Sequence, residues 1–126
     1  MLVTTVAVLL TGAVPSSAAT TDDPAEAGAG WIASKLVGGN HLEVTFSGSS
    51  FPDYGLTADA IFAFDAAGVA QDAASHATDY LEANVGSYVG DGTTESYAGA
   101  LAKLVNVAAA QGVDRPHSAA ATWWPS

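Results

Sequence analysis

The sequence predicts an all-α fold of two αα-hairpin repeats, each an outer amphipathic helix followed by an inner apolar one, with a short extended loop between the first two helices. Three observations carry this. Apolar residues recur at three- and four-residue intervals in four separate stretches. Glycines punctuate those stretches at Gly38-Gly39, Gly68, Gly90-Asp91-Gly92 and Gly112. Local patterns return 43 to 49 positions later: Trp31-Ile32 as Tyr80-Leu81, Asp53-Tyr54 as Ser96-Tyr97, and AAGV at 66–69 as AQGV at 110–113. A unit of that length is one helical hairpin.

The first helix begins at Asp23-Pro24-Ala25-Glu26. Asp23 can cap free N–H groups, Pro24 suits the first helical position, and Glu26 takes the capping-box position. Ala25, Ala29, Ile32 and Leu36 share one face, and Gly38-Gly39-Asn40 stops the helix. The period then changes. Leu42, Val44 and Phe46 alternate with His41, Glu43 and Thr45, which predicts a short strand or extended loop with one buried side. Residues 47–52 read as turn.

The second helix spans 56–67, with Asp53 as N-cap and Gly68 as its end. Leu56, Ala60, Phe64 and Ala67 fall in one sector, and Phe62 points the opposite way between Ala58 and Ala66, so this helix meets apolar neighbours on two sides. The third spans 70–85, with a stripe of Ala74, Ala77, Leu81 and Val85 backed by Asp72, Ser75, His76, Asp79 and Glu82. Gly86 and residues 90–94 form a loop. The fourth spans 97–111, capped by Ser96 or Thr94, with Leu101, Leu104, Val105, Val107 and Ala108 facing inward. The alternation places the first and third helices outside, the second and fourth inside.

The chain has 126 residues, enough for one domain. It has no Cys, which excludes disulfides, thiolate zinc sites and a cysteine nucleophile. Net charge is −10, with Lys35, Lys103 and Arg115 as the only strong bases. Nucleic-acid binding needs a basic footprint, and an anionic membrane repels this chain. Residues 1–19 read as a secretory signal peptide: an apolar run over 2–14, a Pro15-Ser16-Ser17 break, then small Ala18 and Ala19. The run is shorter than the roughly 20 residues a membrane span needs. No Lys or Arg precedes it, so either the true start lies upstream or the segment is atypical; the competing reading is an apolar N-terminus of a cytosolic protein. Export places the protein outside the cell or on its surface, with residues 20–114 as the repeat domain and 115–126 as an irregular tail.

The stretches AGWIASKL (29–36), FPDYGLTADAIFAF (51–64), HATDYLEANV (76–85) and SYAGALAKLVNVAAAQGVD (96–114) resemble the α/α-toroid superfamily of terpenoid cyclases and protein prenyltransferase β subunits. They are most similar to secreted actinobacterial prenyltransferase/squalene-oxidase repeat proteins. The resemblance covers residues 23–114 and implies an incomplete toroid and secretion. It does not bring the family's chemistry. The DxDD acid motif, the DDxxD-like metal cluster, the Asp-Cys-His zinc set and the Gln- and Trp-bearing repeat signature are all missing. A full toroid has about a dozen helices, and four are visible. The tail, with Trp123-Trp124-Pro125, departs from the pattern. It points to a chain that is truncated or read in a shifted frame, or to tryptophans that cover the open inner layer.

Asp53, Asp59 and Asp65 are spaced by six, so Asp59 and Asp65 lie about 240° apart on a helix and cannot act as a pair. Asp53 reads as a cap. Asp59, in an inner helix, either pairs with Lys103 or anchors a ligand in a toroid cavity. Tyr54, Tyr88 and Tyr97 near helix starts either line a cavity mouth or anchor loops on the core. Ligand contacts are therefore assigned to Asp59, Tyr54 and Tyr97. His41, His76 and His117 show no metal-ligand spacing. The Gly90-Asp91-Gly92 run resembles a calcium loop, but its ligand series does not continue, so it reads as a turn. No cofactor and no catalytic residue is assigned. The expectation is an exported, non-catalytic binding or surface module for a small apolar ligand or a protein partner. The alternatives are a fragment of a cyclase-like or prenyltransferase-like enzyme, and a structural packing module. Two hairpins leave one side of the inner helices uncovered, which favours a partner or a homo-oligomer.

Overall fold

The computed structural model describes residues 22–112. The predicted leader, Arg115, His117 and the Trp123-Trp124 tail lie outside the described residues. The order is α1 (Pro24–Ala33), β1 (Glu43–Phe46), β2 (Ser49–Pro52), α2 (Tyr54–Ala67), α3 (Gln71–Ala83), α4 (Val85–Val89) and α5 (Ala98–Ala110).

The all-α expectation is corrected by a two-stranded antiparallel sheet between α1 and α2. Only Ser47 and Gly48 turn; both have positive φ, 51° and 82°. Two left-handed residues in a row make the tight turn whose twist matches a β-hairpin. The chain then runs back along β1, pairing Phe46 with Ser49, Thr45 with Ser50, Val44 with Phe51 and Glu43 with Pro52. The Ser- and Pro-rich composition of 49–52 masked this strand. The expected buried side is corrected too, since all eight strand residues are exposed.

Helix ends differ where local chemistry competes. α1 stops at Ala33, before Leu36, because the chain tightens there: Lys35 N–H donates to the Ile32 carbonyl (2.9 Å) and the Ser34 hydroxyl to that of Trp31 (2.6 Å). α3 stops at Ala83, and a fifth helix, α4, takes Val85, expected as the end of the third helix, together with Gly86, expected as loop. Neither Ser96 nor Thr94 caps α5; Thr94 instead serves Asp91 in the preceding loop. Asp23 and Asp53 cap α1 and α2, and Gly68 ends α2 in the left-handed conformation.

The expected pair of layers is replaced by a hub. α2 packs against α1, α3 and α5. Its Thr57, Ala58, Ala60, Ile61 and Phe64 are buried, joined by Ala74, Ala77 and Leu81 of α3, Leu104 and Val107 of α5, and Ala29 of α1. Four of these are alanines on α2 and α3. Short side chains let two helix backbones approach closely, while Phe64, Ile61 and Leu81 fill the space between. On α5 only Leu104 and Val107 are buried; Val105, expected inside, is exposed. Leu56 of α2 is exposed as well.

The hairpin is tied to this hub by three hydrogen bonds that close a ring. The Leu42 N–H donates to the Thr57 hydroxyl oxygen (3.0 Å), that hydroxyl donates to the Asp53 carbonyl (2.7 Å), and the Asp53 N–H donates to the Leu42 carbonyl (2.8 Å). Thr57 is fully buried. Thr57→Val keeps its shape but leaves the Leu42 N–H without an acceptor. That change is expected to cost about 1–3 kcal/mol, read as a lower urea midpoint, with faster amide exchange at Leu42 and Asp53 than elsewhere in the core.

Candidate functional site

Two features near the N-terminal end of α2 could meet another molecule. The first is the hairpin. Val44 and Phe46 lie two apart on β1, and Val44 faces Phe51 on β2, so the three share one face of the ribbon. They are 48 %, 74 % and 51 % exposed. The opposite face is polar, with the Thr45 and Ser50 hydroxyls in contact (3.1 Å). Among the described residues nothing covers these three large apolar side chains, and an exposed apolar patch of this kind is a candidate contact surface.

The second is a row of rings at the base of the hairpin. His41 stacks on Tyr80 of α3 (centroids 4.3 Å apart, planes within 6°). Tyr80 stacks on Tyr54 of α2 (6.2 Å), and Tyr54 meets Tyr88 of α4 at 5.8 Å. The row therefore joins the hairpin base to three helices. His41 also contacts Asn40 Oδ1 through Nδ1 (2.7 Å) and Glu43 Oε1 through Nε2 (3.4 Å). Burial pushes the phenol of Tyr80 above its usual range, helped by nearby Tyr54 and Glu43. Burial also raises Tyr88, against the opposing pull of Lys103 and with support from Asp59 and Asp53. Both phenols are protonated at neutral pH and supply no base.

Of the three sequence-assigned contact residues, two stand on α2, each with its own partners. Tyr54 sits inside the ring row. Asp59, one turn along α2, binds the Lys103 ammonium of α5 through Oδ1 at 2.8 Å, and the ammonium also reaches the Gly55 carbonyl (3.4 Å). Both partners are partly exposed, and the pair closes α5 onto α2. Tyr97 stands apart: its hydroxyl donates to Glu95 Oε2 (2.8 Å), a carboxylate that raises its phenol. Sequence reasoning assigned no site role to His41, Tyr80 or Phe51, and expected Val44 and Phe46 to be buried. The readable signal was two four-residue runs, EVTF and SSFP, separated by Ser-Gly.

The Gly90-Asp91-Gly92 loop is a turn, as expected. Asp91 Oδ1 accepts the backbone N–H groups of Thr93 (2.8 Å), Thr94 (2.8 Å) and Glu95 (3.1 Å), and its other oxygen accepts the Thr94 hydroxyl. The Thr94 hydroxyl and then these N–H groups hold the carboxyl well below the ordinary range. Gly90 has φ +87°, and a Cβ there would press into the Glu95 carbonyl. Among the described residues no three His, Asp or Glu side chains are grouped to hold a metal ion, and no helix is long and apolar enough to cross a membrane.

The hydrogen bond to Asp59 chiefly raises the Lys103 ammonium above the ordinary lysine value of 10.5. A raised cationic group contributes its stability fully below its unfolded value and loses it as pH rises through the folded one. Because the pair is solvent-screened, Lys103→Met is expected to cost less than about 1 kcal/mol at neutral pH. Urea midpoints of the variant and the parent should converge as pH rises beyond the raised lysine value. No family model matches the chain, and neither a curated protein nor a solved structure matches it.

Proposed function

We propose that the protein is an exported, non-catalytic binding module whose β-hairpin is its interaction surface. One observation carries the reading: Val44, Phe46 and Phe51 form an apolar face that nothing covers among the described residues. The rest of the surface chemistry agrees with binding rather than catalysis. Asp53 is engaged as a cap, Asp59 is held by Lys103, and the half-buried phenols of Tyr80 and Tyr88 are protonated. The helical body is proposed as a relative of the secreted repeat proteins it resembles, without their catalytic motifs.

Two experiments test this. Export is read from the intact mass of the protein recovered from the medium of its native host, which should begin at Ala19 or Thr20. Binding is read from display selection of random peptides on the full chain. Selected peptides should lose at least about tenfold in affinity for a Phe46→Ser, Phe51→Ser double variant, about 1.4 kcal/mol. Peptides that bind both proteins equally would move the interaction surface away from the hairpin.

A further inference from the structure

The backbone of the hairpin is as asymmetric as its faces. A two-residue turn makes Phe46 and Ser49 a hydrogen-bonded pair, so bonded pairs recur at Val44–Phe51 and Leu42–Asp53. The 2.8 Å bond from the Asp53 N–H to the Leu42 carbonyl fits that phase. The residues between, His41, Glu43 and Thr45 on one edge and Ser50 and Pro52 on the other, turn their backbone groups outward. On the β2 edge Pro52 has no N–H to offer. On the β1 edge the groups of His41 are already taken by another length of chain: Val37 N–H donates to the His41 carbonyl (2.7 Å), and His41 N–H to the Val37 carbonyl (3.4 Å). Just beyond this bridge, Glu43 and Thr45 present two N–H and two C=O groups with no partner among the described residues. The β1 edge thus accepts backbone at one end and is open at the other.

We propose that this open edge receives an extended segment of a partner protein as a third strand, and that the segment alternates apolar with basic residues. The inference rests on the hairpin being the interaction surface and adds the mode and the chemistry. Strand addition fills the four open backbone groups. Alternation follows from the pleat: one set of side chains lies beside Val44 and Phe46, the other beside Glu43 and Thr45. The basic character follows from charge. The chain carries −10 overall, and Glu43 is the only charged residue on either strand. A second copy of this acidic chain lacks that complementarity. The lane is short, so affinity is modest, with a dissociation constant on the order of 0.1–1 mM.

The probe is an acetylated and amidated octapeptide of alternating valine and lysine, titrated into the full-length protein and followed by amide NMR and hydrogen exchange. At saturation the Glu43 and Thr45 amides should exchange at least about tenfold more slowly, with Ser50 unchanged. A valine–glutamate octapeptide should bind at least about tenfold more weakly. Thr45→Pro removes an outward N–H without touching the inner ladder and should abolish binding, whereas Ser50→Pro should not. Protection at Ser50 instead, equal binding of the acidic peptide, or no shift at about 2 mM probe would each overturn strand addition at β1. If display-selected peptides still depend on Phe46 and Phe51 but leave Glu43 and Thr45 exchanging freely, the hairpin is a binding surface and this mode is wrong.

Discussion

The arrangement depends on one buried hydroxyl. Thr57 sits in the first turn of the central helix, where one of its oxygen's lone pairs accepts from Leu42 and its proton goes to Asp53. Two chain segments fifteen and four residues away are thereby fixed to each other and to α2. Threonine suits this position because its hydroxyl can reach the carbonyl one turn back while its methyl group remains in the core. Everything at the N-terminal end of α2 is placed relative to that ring: the hairpin, the His41–Tyr80–Tyr54–Tyr88 row and the Asp53 cap.

The rest of the body follows from the hub. A helix that buries Ala58, Ala60, Ile61 and Phe64 needs neighbours on more than one side, and a chain of this length supplies them from α1, α3 and α5. α3 is delivered by a three-residue link in which Gly68 and Ala70 both take left-handed φ, 68° and 59°. α5 returns through α4 and the Asp91 turn, and is secured by Lys103 on Asp59. Apart from the buried Thr57 hydroxyl, these polar links are at least partly exposed, and the apolar contacts occupy the centre. The links therefore set geometry, while burial supplies most of the stability.

Much of the helical framework was legible in the residues. The Ala74–Ala77–Leu81 stripe, the Asp23 and Asp53 caps and the Gly68 stop rest on local spacing and local hydrogen bonding, which the sequence carries directly. The hairpin was not legible because its strands lack a core-facing pattern. Apolar side chains that face solvent look the same in a sequence as those that face a core, so Val44 and Phe46 predicted a buried side. Ser49–Pro52 has turn composition, and only pairing with β1 makes it a strand. The ring row escaped for another reason: His41, Tyr54, Tyr80 and Tyr88 come from four separate segments, and no spacing announces their meeting. Asp59 and Lys103 lie on different helices as well, yet an isolated acid and one of only three strong bases made that pair accessible to reasoning.

Pro52 has a consequence for how assemblies of this chain can grow. A β-ribbon with two equivalent free edges can propagate indefinitely, each added strand exposing a new edge for the next. Here the β2 side interrupts the donor series and the β1 side is closed at its base by Val37. Growth can proceed in one direction only and over a lane four residues long. The ribbon is consequently a terminating element rather than a seed, and it carries its apolar face without offering a template for fibres.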